Sequence, residues 1–267
     1  MGVIALSWLD ILLSALPLAA LAGAFAWQRL GLGRAMLIGA ARTFVQLALV
    51  GFVLKGVFQN AHPVWTLCFS LVMLGMGTWE VSRRQHRRFA GGGTVGLAVL
   101  GLFTAGFTVT VFALLALVGV SPWWSPQYAI PLLGMILGNT MTGIALGMDT
   151  LTQSAWKQRA VIENRLALGE TAGESVAELK RESVRTAMTP IVNSLAVCGV
   201  VSLPGMMTGQ ILSGSDPLAA VRYQMMIMYL IASGAGFGSL LTIQLCASRL
   251  FDGRERLRLD RLLEAPK

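Results

Sequence analysis

The sequence predicts an all-α membrane protein that crosses the bilayer seven times. Three observations carry that expectation. Of 267 residues, 55% are hydrophobic and only 13% are charged, about half the charged fraction of an ordinary soluble domain. The charges are segregated, since 60 consecutive residues, 89–148, contain no Asp, Glu, Lys or Arg. Further uncharged runs cover 11–28, 56–79, 186–215 and 223–248. Each is close to or above the roughly 20 apolar residues of a bilayer-spanning helix.

The longest run is too long for one helix. Ser121-Pro122-Trp123-Trp124-Ser125-Pro126 breaks it with turn formers and a tryptophan pair suited to the membrane interface. Seven spans result, near 7–27, 35–54, 63–79, 94–118, 128–148, 187–203 and 223–247, in a single domain covering 1–267. Lys and Arg orient them. Segments 29–34, 83–88, 157–185 and 249–267 hold 18 basic residues, whereas the alternating segments hold only Arg222. Basic loops stay cytoplasmic, which puts the N-terminus outside and the C-terminus inside. The net charge of +8 is then a topological signal and not a nucleic-acid surface. No basic region precedes the first apolar stretch, so no cleaved signal peptide is expected. Cys68, Cys198 and Cys246 lie singly in apolar runs and read as small buried residues, not as a disulfide or metal set.

Two cytoplasmic elements stand out. The tail, 249–267, carries ten charges in nineteen residues and reads as a short solvated helix. Segment 149–186 is charge-balanced, with Glu170, Glu174, Glu178 and Glu182 repeating every four residues as one helical stripe. Gly169 is a helix stop, and Thr171 with Glu174 matches a capping box. Two helices are expected to continue spans five and six into the cytoplasm and to meet in a turn over 166–173.

Catalysis is not expected. There is no Gly-Lys dipeptide, hence no phosphate-cradling loop, and no cofactor is expected in this chain. His62 and His86 fall in loops on opposite sides, and no carboxylate lies mid-span. Arg42 is the one intramembrane charge. It reads as an anchor that snorkels or pairs with Asp149 or Glu80, or as part of a path. Span five is the most unusual. Gly134/Gly138 and Gly143/Gly147 have the spacing that lets helices approach closely, and span seven repeats it in Gly234/Gly238. Asn139, Thr140 and Thr142 sit within this glycine-rich span. A packed seam lined by polar groups follows, as a dimer interface or a solute path would require, with Arg42 and Gln46 as further path candidates. The thirteen methionines read as adaptable packing rather than soft-metal ligands. No metal-ligating set is identifiable.

IPLLGMILGNTMTGIALGMD at 130–149, ENRLALG at 163–169, ESVRTAMTPIVNSL from 182, VSLPGMMTGQIL to 212, ARTFVQL at 41–47 and DPLAAVRYQ at 216–224 resemble the FetB-type permease family. The resemblance covers nearly the whole chain. It implies a homodimeric permease of the bacterial inner membrane, driven by a separate cytoplasmic ABC subunit that binds ATP-Mg. The family is associated with iron export and has plant relatives tied to aluminium tolerance. A permease without its own phosphate loop needs a cytoplasmic contact for that partner, and 149–186 is the element large enough. Its tip offers Leu166 and Leu168 as apolar plugs, Glu163, Arg165 and Glu170 as a charged rim, and Gly169 as the turn. A stand-alone secondary carrier and a structural or regulatory membrane protein are the alternatives.

Overall fold

The computed structural model describes residues 7–59 and 62–264; the expected outer N-terminal residues 1–6, loop residues 60–61 and tail residues 265–267 lie outside them. Among the described residues, six helices are long and apolar enough to cross a membrane. The first is α1 (Trp8–Ser14) running into α2 (Leu16–Trp27) at Ala15, where Pro17 takes an early helical position that needs no backbone donor. α3 (Leu32–Gln59), α4 (Pro63–Arg84), α7 (Pro126–Lys157) and α12 (Pro217–Arg249) are single helices. The remaining span, Gly93–Val118, is built of α5 (Gly93–Leu102), α6 (Thr108–Phe112) and two π-helical turns, Phe103–Phe107 and Ala113–Val118.

α7 is the central post, with α4, α10 (Ala177–Val197) and α12 packed around it and the α5–α6 span between α4 and α12. At 32 residues it is about 48 Å long, more than a bilayer core needs. α1–α3 stand apart as a hairpin that touches α7 sparsely. Their Leu, Phe and Trp side chains are open, a surface that lipid satisfies.

One end of the molecule gathers the charged segments. β1 (Arg87–Phe89) pairs antiparallel with β2 (Leu262–Glu264). The His86 backbone N–H donates to Asp149 at 2.8 Å, and Gly93 lies against the Arg249 guanidinium. The opposite end gathers the other loops: the Thr66 hydroxyl donates to the Trp124 carbonyl at 3.1 Å, and Gln127 and Tyr128 line a pocket with Met206 and Tyr223.

Four expectations need correction. The tail is not a helix. It forms a Phe251–Leu257 bridge, a 3-10 turn at Leu259–Arg261 and strand β2, so the fold is mostly helical rather than all-α. The sixth span does not run over 187–203. α10 begins at Ala177 and ends at Val197, and the chain turns through Gly199 (φ +83°) into short α11 (Gly205–Leu212). The first half of α10 is too polar for a bilayer core, carrying Glu178, Lys180, Arg181, Glu182 and Arg185, although α10 and α11 carry the chain back from the charged end. The glutamate stripe is also interrupted: Glu170 lies before α9 (Ala172–Ser175), and a break at Val176 separates α9 from α10. Cys246 is buried as expected, but Cys68 is exposed.

Because the chain returns through α10 and α11, reporters fused after Gln127 and after Gly214 should report one side, and a reporter after Lys267 the other. Matching signals from Gly214 and Lys267 would mean that α10–α11 does not cross.

Candidate functional site

Two regions collect the singled-out residues. The first is a groove of about 660 Å³ between α3, α4 and α7. Arg42 and Gln46, four apart and therefore stacked on one face of α3, line one wall with Thr43. Met73, Met76, Glu80 and Arg84 recur at helical spacing on α4. Gly134, Gly138 and Met141 of α7 close the third side. A side chain built at Gly138 would meet nothing, whereas one at Gly134 would touch the Met73 methyl at 3.0 Å. The groove therefore exists partly because these positions lack side chains.

Arg42 pairs with neither Asp149 nor Glu80. Its guanidinium lies 5.9 Å from the centre of the Trp79 ring, which Arg83 approaches at 4.9 Å. Glu80 is instead 3.1 Å from Arg84. Asp149 accepts from the Gln153 amide at 2.6 Å and sits 2.9 Å from His86 Nδ1.

The polar trio of span five is split up. Successive helical residues point about 100° apart, so Thr140 is turned away from the face that Asn139 and Thr142, three apart, share. The Asn139 amide donates to the Met135 carbonyl at 2.8 Å, and the Thr142 hydroxyl to the Gly138 carbonyl at 3.1 Å. Both are satisfied by their own helix. Thr140 is fully buried against α12, and its hydroxyl has no partner. The groove residues that sequence reasoning missed, Met73, Met76 and Arg84, carried a usable signal in their common face of α4 with Glu80, named only as a partner for Arg42.

The glycines expected at a dimer or helix seam pack mostly within this chain. A Cβ at Gly143 would lie 2.8 Å from Ser239 Oγ, and one at Gly147 2.6 Å from Ile243 Cδ1. At Gly234 the neighbour is Ile136 at 2.8 Å, and at Gly238 it is Thr140 Cγ2 at 2.6 Å. These four bring α7 and α12 together; among the six, only Gly138 faces open space.

The second region is the charged end. α7 passes through a break at Gln158 into α8 (Arg159–Ala167), and Gly169 (φ +95°) turns the chain in a conformation that suits glycine. The capping box is present: Glu174 accepts from the Thr171 backbone at 2.9 Å, and Thr171 Oγ1 from the Glu174 backbone at 3.4 Å. The Thr171 hydroxyl, then its backbone, lower the Glu174 pKa. The expected pair of plugs divides. Leu166 packs half-buried onto the core, whereas Leu168 is 85% exposed. Glu163 and Glu170 are exposed beside it, and Arg165 is half-buried.

The tail braces this tip. Glu255 accepts the Ala172 backbone N–H at 2.9 Å. Asp252 orders the tail turn by accepting the backbone N–H groups of Arg254 and Arg256 at 2.9 and 3.0 Å. Arg256, through its backbone and then its guanidinium, holds the Asp252 carboxyl well below the usual carboxylate range. A depressed carboxyl stabilises the fold above its unfolded pKa and loses that contribution as pH falls through the folded one. Tail protease resistance should therefore be unchanged from about pH 8 to about pH 5. Release within that window would mean that Asp252 does not order the turn.

Gly238→Leu should lower thermal stability by an overpacking cost of about 1–3 kcal/mol. Gly138→Leu should leave the melting profile unchanged while filling the groove. Equal destabilisation by the two would contradict the open face at Gly138.

Residues 8–251 match the family described as "Uncharacterised protein family (UPF0014)". A UPF0014 membrane protein of Synechocystis is 37% identical over 230 residues, 86% of this chain and 88% of the relative. "Protein ALUMINUM SENSITIVE 3" of Arabidopsis thaliana is 32% identical over 224 residues, 84% of this chain and 80% of the relative. "Probable iron export permease protein FetB" of Escherichia coli is 31% identical over 235 residues, 88% of each chain. No solved structure matches. This chain, a multi-pass membrane protein, belongs to the UPF0014 family.

Proposed function

We propose that this chain is the permease subunit of an ABC transporter in the bacterial inner membrane. Two copies each bind a separate cytoplasmic ABC subunit, which holds ATP-Mg and drives export of iron or another metal. The observation that carries the reading is the braced tip at 166–173. A rigid helical end, turned by Gly169, capped by Thr171 and held by Glu255, presents one bare leucine inside a charged rim. A small apolar centre within polar surroundings is the usual build of a protein interface. Because α7 runs unbroken from the groove to Lys157, displacement of the tip is carried into the groove wall. The iron reading is supported by the name of the Escherichia coli relative and by the resemblance.

The groove suits a solute path because Arg42 and Gln46 face Gly138 and Met141 across it. Asn139 and Thr142 sit beside that wall and shape it through their helix; Thr140 acts at the α7–α12 seam. An open Gly138 face is also the place where a second copy would contact span five.

Leu168→Asp separates docking from folding, because Leu168 touches little of its own chain. An apolar hot spot at an interface is worth about 2 kcal/mol, roughly a thirtyfold loss of affinity. The variant should insert and melt normally yet lose its ATPase on co-purification. Full retention of the ATPase by Leu168→Asp would put the docking surface elsewhere. Leu166→Asp, by contrast, should destabilise the tip itself.

A further inference from the structure

Resting on the reading of the groove as a solute path, we infer that its cargo is an anion: a carboxylate- or phosphate-bearing solute, or a metal carried inside an anionic chelate. The local charges argue against a bare cation. Glu80 is neutralised by Arg84 at 3.1 Å. Arg42, facing the same groove, has no carboxylate within ion-pair distance among the described residues, only the Trp79 ring. That ring is shared with a further guanidinium, Arg83. Asp149 is occupied by His86 and Gln153. A divalent cation entering here meets net positive charge.

Ligand chemistry agrees. A bare metal ion has to exchange its water for protein donors, and no group of three or more His, Cys, Asp or Glu stands together among the described residues. The groove instead offers the planar fork of Arg42, which matches two carboxylate or phosphate oxygens, with Gln46 one turn along and Thr43 beside it. Met73, Met76 and Met141 give a soft, adaptable wall. A volume of about 660 Å³ lies in the range of small-molecule sites. A metal that crosses here stays within its own ligand, and Arg42 reads the ligand's charge.

The test uses the purified chain in phosphatidylcholine nanodiscs, alone and with its co-purified ATPase. The probes are citrate, ferric citrate and anaerobic Fe2+ alone, read by calorimetric titration and by stimulation of ATP hydrolysis. Citrate and ferric citrate should bind saturably. Arg42→Gln should weaken both at least tenfold with an unchanged melting profile, and Arg42→Lys, which keeps the charge but loses the fork, should weaken them less. Saturable Fe2+ binding indifferent to Arg42→Gln would overturn the inference, as would no saturable binding of either anion or Arg42→Gln affinities within twofold of the parent. A second set of discs with phosphatidylglycerol separates the sources of anion. If Arg42→Gln alters only phosphatidylglycerol retention, Arg42 is a headgroup anchor and the inference fails. Failure to recover any ATPase, with Arg42-dependent citrate binding intact, would sink the ABC reading and leave this one standing.

Discussion

Everything else in this molecule depends on how closely α7 and α12 approach. Lipid is as apolar as leucine, so helices in a membrane are held by contact and not by escape from water. Contact is tightest where side chains are absent. Gly143 and Gly147 on one helix and Gly234 and Gly238 on the other leave space that Ser239, Ile243, Ile136 and Thr140 occupy. Ala187 of α10 enters the same junction beside Gly143 and Gly147. The closeness leaves hydroxyls stranded: Thr140, Ser239 and Thr242 are buried without partners, at about 1–3 kcal/mol for each such group. The seam is therefore tight in shape but poor in polar bonding.

The features legible in the sequence were those written in local spacing. Uncharged runs marked the long helices, and Thr171 with Glu174 marked the capped turn three residues apart. Long-range pairing left no such trace. The three-residue strands β1 and β2 meet across more than half the chain, Arg87 opposite Glu264, and strands that short show no periodicity to read. The sixth span was placed too far along because the apolar run continues past Val197, where the chain turns at Gly199, whereas the charged first half of α10 is helical as expected, with Leu179, Ser183 and Ala187 burying one continuous face. Asn139, Thr140 and Thr142 looked like one lining because they are neighbours in sequence. Rotation of about 100° per residue turns Thr140 away from the other two and buries it, while Asn139 and Thr142 bond to carbonyls of their own helix.

The same rotation explains which path candidates came together. Arg42 and Gln46, four apart, kept a common direction and face the same groove. Their counterparts on α4 were hidden among apolar residues, since methionine draws no notice in a membrane span. Of the two leucines at the tip, composition could not choose between packing and display. That choice was made by α8, which turns Leu166 inward and releases Leu168 just past its last residue, Ala167.

Groove and tip are joined through covalent and polar continuity at one point. Asp149, on the same helix as Gly138 and Met141, binds the His86 backbone at the end of α4. The other wall of the groove, Met73 and Met76, belongs to α4 as well. α4 and α7 are therefore clamped together at the charged end and cannot separate there without breaking a charge-assisted hydrogen bond, worth about 1.5–3 kcal/mol. α3, which carries Arg42, has no such clamp among the described residues and only sparse contact with α7. On the proposed docking reading, a push at the tip would act on α4 and α7 as a pair, and α3 is the groove wall outside that pair. On that reading, the guanidinium of Arg42 sits on the groove wall least tied to α7.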